Sequence, residues 1–175
     1  MTELVSSAGC EPGGSDPVPP SNAPILGGPV EVWTDGSCRP NPGVGAWAFV
    51  MRNHDGREFE KAGAERDTTN NRMELMAAIR ALEVLPRPFA VVLHTDSEYV
   101  FLGMTARLER WQRDGWRTAK RKPVDNSDLW QRLVAAAARH QVDWRWTRGH
   151  ADDPMNLRVD ALAAAAREKA GRGHV

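Results

Sequence analysis

Two apolar runs about sixty residues apart break off at the same kind of residue, and this constrains the fold more than any other feature. The stretch VWTDGSC, residues 32–38, reads as a buried strand that ends by placing a carboxylate, Asp35, before a turn at Gly36. VVLHTDSEY, residues 91–99, repeats the event with Thr95 and Asp96. A short continuous apolar run bounded by polar turn residues fits a strand buried on both faces. A helical pattern intervenes, so the second strand is most simply parallel to the first, reached by a right-handed crossover. If the two strands are adjacent, both acids lie at their carboxyl ends, where open α/β sheets bind ligands.

The rest of the chain supplies the partners such a sheet needs. PVEVWT and VGAWAFVMR alternate as strands, NHDG is a hairpin turn, and REFEKAGAE is a third strand, so the first three strands are antiparallel neighbours. In TTNNRMELMAAIRALEVL the period changes, and Leu75, Ile79 and Leu82 share one helical face; Pro86 and Pro88 then end the helix. After Asp96 come a short helical stretch, an Arg/Trp-rich segment and a helix in NSDLWQRLVAAAARH capped by Asn126 or Ser127. QVDWRW is a last strand. A final helix opens with Asp153 as N-cap and Pro154 at its first position. The order β-β-β-α-β-α-α-β-α predicts an α/β fold with a five-stranded mixed sheet, three strands antiparallel and two parallel, with helices packed on it.

At 175 residues the chain is one domain, and 23 basic against 23 acidic residues leave bulk charge pointing to no partner. Residues 1–28, rich in Pro, Gly and Ser without periodicity, are expected to be a disordered tail, and residues 169–175 a disordered end, around a domain spanning 29–168. Two cysteines, Cys10 and Cys38, suit a reducing compartment and are too few for a structural zinc site. Neither a signal peptide nor a membrane-length apolar run is evident, so a cytoplasmic protein is expected.

Two carboxylates side by side repel one another unless a cation intervenes, and Mg²⁺, which prefers oxygen ligands, resolves the conflict. Each acid also has an ordinary explanation. Asp35-Gly36 fits a turn, Asp96 a helix cap, Glu74 a capping box three residues after Asn71, and Asp160 a solvated helix face.

Taken together, TDGSCRPNPG, TTNNRMELMAAI, LHTDSEYV, DNSDLWQRL, WTRGHADDPMN and VDALA resemble, in order and spacing, the type 1 ribonuclease H family and its bacterial ribonuclease HI members. The resemblance spans roughly Pro29 to Arg167 and implies a ribonuclease H-like fold. It also implies an endonuclease that hydrolyses the RNA strand of RNA–DNA hybrids, leaving 3′-hydroxyl and 5′-phosphate ends. Asp35, Glu74, Asp96 and Asp160 are then the catalytic acids and ligands of two Mg²⁺ ions, with Mn²⁺ a possible substitute, and His150 assists proton transfer or product release. Asp152 and Asp153 stand where the family often has Gly-His.

Residues 107–122, RLERWQRDGWRTAKRK, concentrate seven cations against Glu109 and Asp114, with Trp111 and Trp116 interleaved. They read as a phosphate-binding protrusion, and the resemblance assigns it, including Trp111, Arg113 and Arg117, to the DNA strand. Gln112 and Asp114 replace residues often basic there. Contacts to the 2′-hydroxyls that mark RNA are implied for Cys38, Asn41, Asn70, Asn71 and Glu98. Thr69 and Asn126 resemble residues that grip a DNA phosphate, but the arginine that accompanies them is Asp67 in this chain, beside Arg66. The expected partner is a hybrid duplex, met by a monomer without an obligatory protein partner. The main alternative is a catalytically weak hybrid-binding module, which predicts a missing carboxylate, and none is missing. A resolvase-like DNA nuclease leaves the protrusion without a purpose. A Ser- or Cys-based hydrolase lacks a histidine partner for Ser37 or Cys38.

Overall fold

Residues 28–148 and 153–172 are described by the structure, a computed structural model. Val30–Cys38 (β1), Gly43–Arg52 (β2) and Glu58–Thr68 (β3) form an antiparallel meander. Asn70–Glu83 (α1) crosses over to Ala90–Thr95 (β4), which pairs parallel with β1. Glu98–Leu102 (α2), a π-helical turn at Gly103–Arg107 and Leu108–Arg113 (α3) lead through the basic segment to Ser127–Ala137 (α4). Gln141–Trp146 (β5) then pairs parallel with β4, and Pro154–Arg172 (α5) closes the chain. The sheet order is β3-β2-β1-β4-β5, the five-stranded mixed sheet expected from the pattern.

The central strands are apolar throughout because both faces are covered. On one face Val32, Phe49 and Leu93 pack against Met73, Leu75, Ile79 and Leu82 of α1 and Trp130 and Leu133 of α4, all fully buried. Burial of each such large side chain contributes about 1.5–3 kcal/mol, so this layer fixes α1 on the sheet. On the other face Trp33, Ala48 and Val50 pack against Val159 and Ala163 of α5. Arg158 tethers α5 further by pairing with Glu58 and Glu60 on β3. The π turn opens at Gly103, where packing demands glycine: a Cβ there would lie 2.0 Å from the Trp130 ring.

Four expectations need correcting. The chain does not turn at Gly36: β1 continues to Cys38, pairing Asp35 with Ala48 and Gly36 with Trp47, and the reversal comes at residues 39–42. The third strand runs on to Thr68 because β2 offers partners as far as Gly43. Thr69, not Asn71, caps α1, its Oγ1 accepting from the Arg72 amide at 3.4 Å. Helix α5 runs to Arg172, past the expected boundary at 168, with an Arg172–Glu168 pair on its last turn. Residues 1–27, with Cys10, lie outside the described residues. Among the described residues no helix is long and apolar enough to cross a membrane.

Candidate active site

The parallel ladder between β1 and β4 explains why two strands each supply an acid. Its last rung pairs Thr34 with Thr95, so Asp35 and Asp96 are the next residue on each strand and leave the ladder together. Asp35 is therefore in mid-strand with respect to β2 but at the end of pairing with respect to β4.

Glu74 joins them through a glycine. A Cβ on Gly36 would lie 2.2 Å from the Glu74 backbone nitrogen and 2.3 Å from the Met73 carbonyl carbon. Without one, α1 rests directly on β1, one residue from Asp35. The Glu74 carboxylate is held by two donors, Asn70 Nδ2 at 2.7 Å on Oε1 and the Ser97 hydroxyl on Oε2. Ser97 also accepts from the Val100 amide, which makes Ser97 rather than Asp96 the cap of α2. Asp96 is held from two sides: the Trp146 indole donates to its carbonyl at 3.2 Å, and the buried Asn156 side chain donates to its carboxylate. The fourth acid, Asp160, comes from α5, one turn past Asn156. It is exposed, yet close enough to raise the pKa of both Asp35 and Asp96.

The electrostatics are those of a site short of positive charge. Burial, then Asp96 and Asp160, push the Asp35 carboxyl up to about 7 against one hydrogen bond from Gly36. Burial and Asp96 bring Glu74 to about 7 despite its Ser97 and Asn70 donors. Burial raises Asp96 as well, with Asp160 adding to it. Asp35 Oδ2 is buried with no hydrogen-bond partner, the costly state that a cation on that oxygen would remove. An all-carboxylate donor set suits a hard divalent ion such as Mg²⁺ or Mn²⁺. Among the described residues no group of three or more His, Cys, Asp or Glu side chains is already arranged to hold a metal ion. An open set of acids is what Mg²⁺ uses, because it keeps water and phosphate oxygens in its shell.

The RNase H family matches residues 28–168. The chain belongs to the ribonuclease H family. It is 60% identical over 142 residues to the ribonuclease H of Acidiphilium cryptum, covering 81% of this chain and 88% of that one. It is 62% identical over 136 residues to the ribonuclease H of Halorhodospira halophila, covering 78% and 91%. Among solved structures it resembles LC9-RNase H1, a type 1 RNase H with the type 2 active-site motif: TM-score 0.74, 32% identity, 84% of this chain and 75% of that one. Ribonucleases H hydrolyse RNA in RNA–DNA hybrids, and the fold described above is that of an enzyme of this kind.

The other expected site residues fall into groups on this ribonuclease H scaffold. At the end of β1 the Cys38 amide donates to Asn70 Oδ1 at 3.2 Å, and the Asn70 amide donates to Asn41 Oδ1 at 3.2 Å. Asn41, Asn70 and Cys38 thus form one connected lip, next to Glu74. The buried Cys38 thiol donates to the Pro40 and Thr68 carbonyls and is a structural group. Asn71 and Glu98 are exposed at the starts of α1 and α2.

Thr69 and Asn126 are joined by a residue that sequence reasoning passed over. Arg72 donates to Asn126 Oδ1 at 3.3 Å and to both Asp128 oxygens at 3.1 and 2.9 Å, and it lines one groove with Thr69 and Asp67. Asn126 takes a left-handed conformation, φ 57°, and donates to the Tyr99 hydroxyl at 3.0 Å, so it stands at the N-cap position without capping α4.

In the basic segment Trp111 packs on Trp130, ring centroids 5.1 Å apart, and on Trp116, anchoring α3 to the core. Arg113 is exposed. Asp114 lies 3.5 Å from Arg110 and 3.6 Å from Arg113, so it offsets part of the local positive charge. Arg117 donates to the Arg121 carbonyl at 2.8 Å. Asp153 caps α5, accepting from the Met155 amide at 2.9 Å, which accounts for an acid there. His150 and Asp152 lie outside the described residues. Gly36, Ser97, Trp146 and Asn156 were not singled out from the sequence as site residues. For Ser97 and Asn156 the available signal was a polar residue beside an acid, or one helical turn before one.

Proposed function

We propose that the chain cuts the RNA strand of an RNA–DNA hybrid with Asp35, Glu74, Asp96 and Asp160 as ligands of two Mg²⁺ ions, leaving 3′-hydroxyl and 5′-phosphate ends. One observation carries this reading: four carboxylates from β1, α1, β4 and α5 converge with one buried oxygen of Asp35 unpartnered. Asp35, Glu74, Asp96 and Asp160 would hold the two divalent ions, whose chemistry when bound would be activation of water and neutralisation of charge at the departing 3′-oxygen. The chain's own part is to hold the acids in place. Ser97 and Asn70 fix the rotamer of Glu74, Asn156 and Trp146 fix Asp96, and the missing side chain of Gly36 keeps α1 against β1. Preorganised ligands lower the reorganisation needed at the moment of reaction.

The lip of Cys38, Asn41, Asn70 and Asn71, with Glu98, would read 2′-hydroxyls of the strand being cut. Thr69 and Asn126 would hold a phosphate of the DNA strand, with Arg72, already paired with Asp128, lining the same groove. Trp111, Arg113 and Arg117 would carry the DNA strand further along, without reading bases. His150 would pass a proton or speed product release at its loop. The enzyme would act as a cytoplasmic monomer. A labelled hybrid incubated with Mg²⁺, beside duplex DNA, duplex RNA and an EDTA control, tests the reading. RNA-strand cuts confined to the hybrid and abolished by EDTA support it, whereas tight hybrid binding without cuts leaves a binding module.

A further inference from the structure

We infer that Ser37 and Arg167 form an additional phosphate-binding site for the strand that is cut, one step along from the acid cluster. The inference rests on the reading of Asp35 and Asp160 given above. Ser37 follows Asp35 by two residues on β1, and strand alternation puts both on the face toward α5. Arg167 follows Asp160 by seven residues on α5, two turns on the same side of the helix. The two elements converge again there: an Arg167 guanidinium nitrogen donates to Ser37 Oγ. Both residues are half-buried.

The chemistry of this pair is unlike that of the other helix-anchoring arginines. Arg132 and Arg158 each close on a carboxylate, whereas Arg167 has no ion pair among the described residues and meets only a neutral hydroxyl. A half-buried guanidinium with one neutral partner keeps both its charge and most of its donors available. Ser37 Oγ, used as an acceptor by Arg167, retains its own hydrogen to donate. Together they present several donors and a positive charge to an acceptor-only, anionic group, which in a nucleic acid is a phosphate. Ser37 lies about 7 Å from Asp35 along the strand, a nucleotide-scale step from the scissile phosphate. The acids repel a polyanion, and a cation fixed at this edge offsets that repulsion where the backbone of the strand leaves the centre.

The test uses the full chain and a hybrid whose RNA strand carries a single methylphosphonate, neutral in place of one phosphate, at successive positions around a unique cleavage site. In the wild type, one neutral position beside the scissile bond raises KM roughly five- to tenfold. Arg167→Ala raises KM by the same factor with kcat held within about twofold, lowers the slope of log affinity on log salt by about one, and is no longer sensitive to that position. Arg167→Lys restores part of the affinity, because the charge returns without the fork of donors. An Arg167→Ala protein with wild-type KM and salt slope but a lower melting temperature would overturn the proposal and leave a structural tie between α5 and β1. So would undiminished sensitivity to every methylphosphonate position. A wild type that leaves the unmodified hybrid uncut would instead refute the nuclease reading on which the site depends.

Discussion

Asp35→Asn should stabilise the metal-free protein while abolishing its activity, and the size of the effect follows from the acid cluster. Burial and the neighbouring acids raise Asp35 from 3.8 to about 7. Between those values the folded protein holds a proton that the unfolded chain has released, so stability is full below about pH 4 and is lost as pH rises through about 7. Three pKa units correspond to about 4 kcal/mol, an upper limit. Asp35 is only half-buried and solvent screens part of its repulsion, so about 2–3 kcal/mol is expected. Asparagine keeps the shape and removes the charge. In EDTA at pH 8 the variant should therefore melt about 4–12 °C above the wild type, at about 2–4 °C per kcal/mol. The difference should vanish near pH 4. On the proposed reading, in which the ion binds the folded cluster, adding Mg²⁺ should raise the wild type much more than the variant. Thermal melts of both proteins at pH 4 and pH 8, with EDTA and with Mg²⁺, measure all of this. A variant no more stable than the wild type in EDTA at pH 8 would show that the carboxylates are not in conflict, and the argument for a cation there would fail.

Other perturbations test the supports of the site. Gly36→Ala places a methyl on the α1 backbone and should cost about 3 kcal/mol in urea unfolding, with a fall in kcat as Glu74 is pushed from Asp35. Ser97→Ala removes a cap and a donor to Glu74 together: a loss of about 1 kcal/mol, and about tenfold in Mg²⁺ affinity or rate, is expected in melts and metal titrations. Arg113→Ala should weaken hybrid binding without changing sequence preference and lower the salt slope by about one, as read by fluorescence anisotropy across a salt series.

How far the sequence alone reached is clearest at β1. Its apolar run and its acid were legible, and so was the partnership of Asp35 with Asp96, because a helix between two buried strands implies a parallel ladder. The continuation of β1 past Gly36 was not, since a glycine after an aspartate is the ordinary mark of a turn. What decides the matter is tertiary: α1 needs the space a side chain would occupy. The same holds for Glu74, whose spacing from Asn71 suggested a cap, while its carboxylate bonds Asn70 one turn earlier on α1 and Ser97 across the gap to the start of α2. Asn156 and Trp146 hold Asp96 from α5 and β5, fifty or more residues away in the chain, and no local pattern announces that contact. Arg72 reaches Asn126 and Asp128 from another helix, so it was hidden for the same reason. Local chemistry named the acids, and packing named what holds them.

The central claim is that four acids from separate elements act as one centre on the RNA strand. Its most direct test is the rate of RNA-strand cleavage of a hybrid at saturating Mg²⁺ by the wild type and by Asp35→Asn, Glu74→Gln, Asp96→Asn and Asp160→Asn, with hybrid binding measured in parallel. Each variant should bind the hybrid and cut it at least about a hundredfold more slowly. A variant of any of the four that cuts at the wild-type rate would contradict the claim.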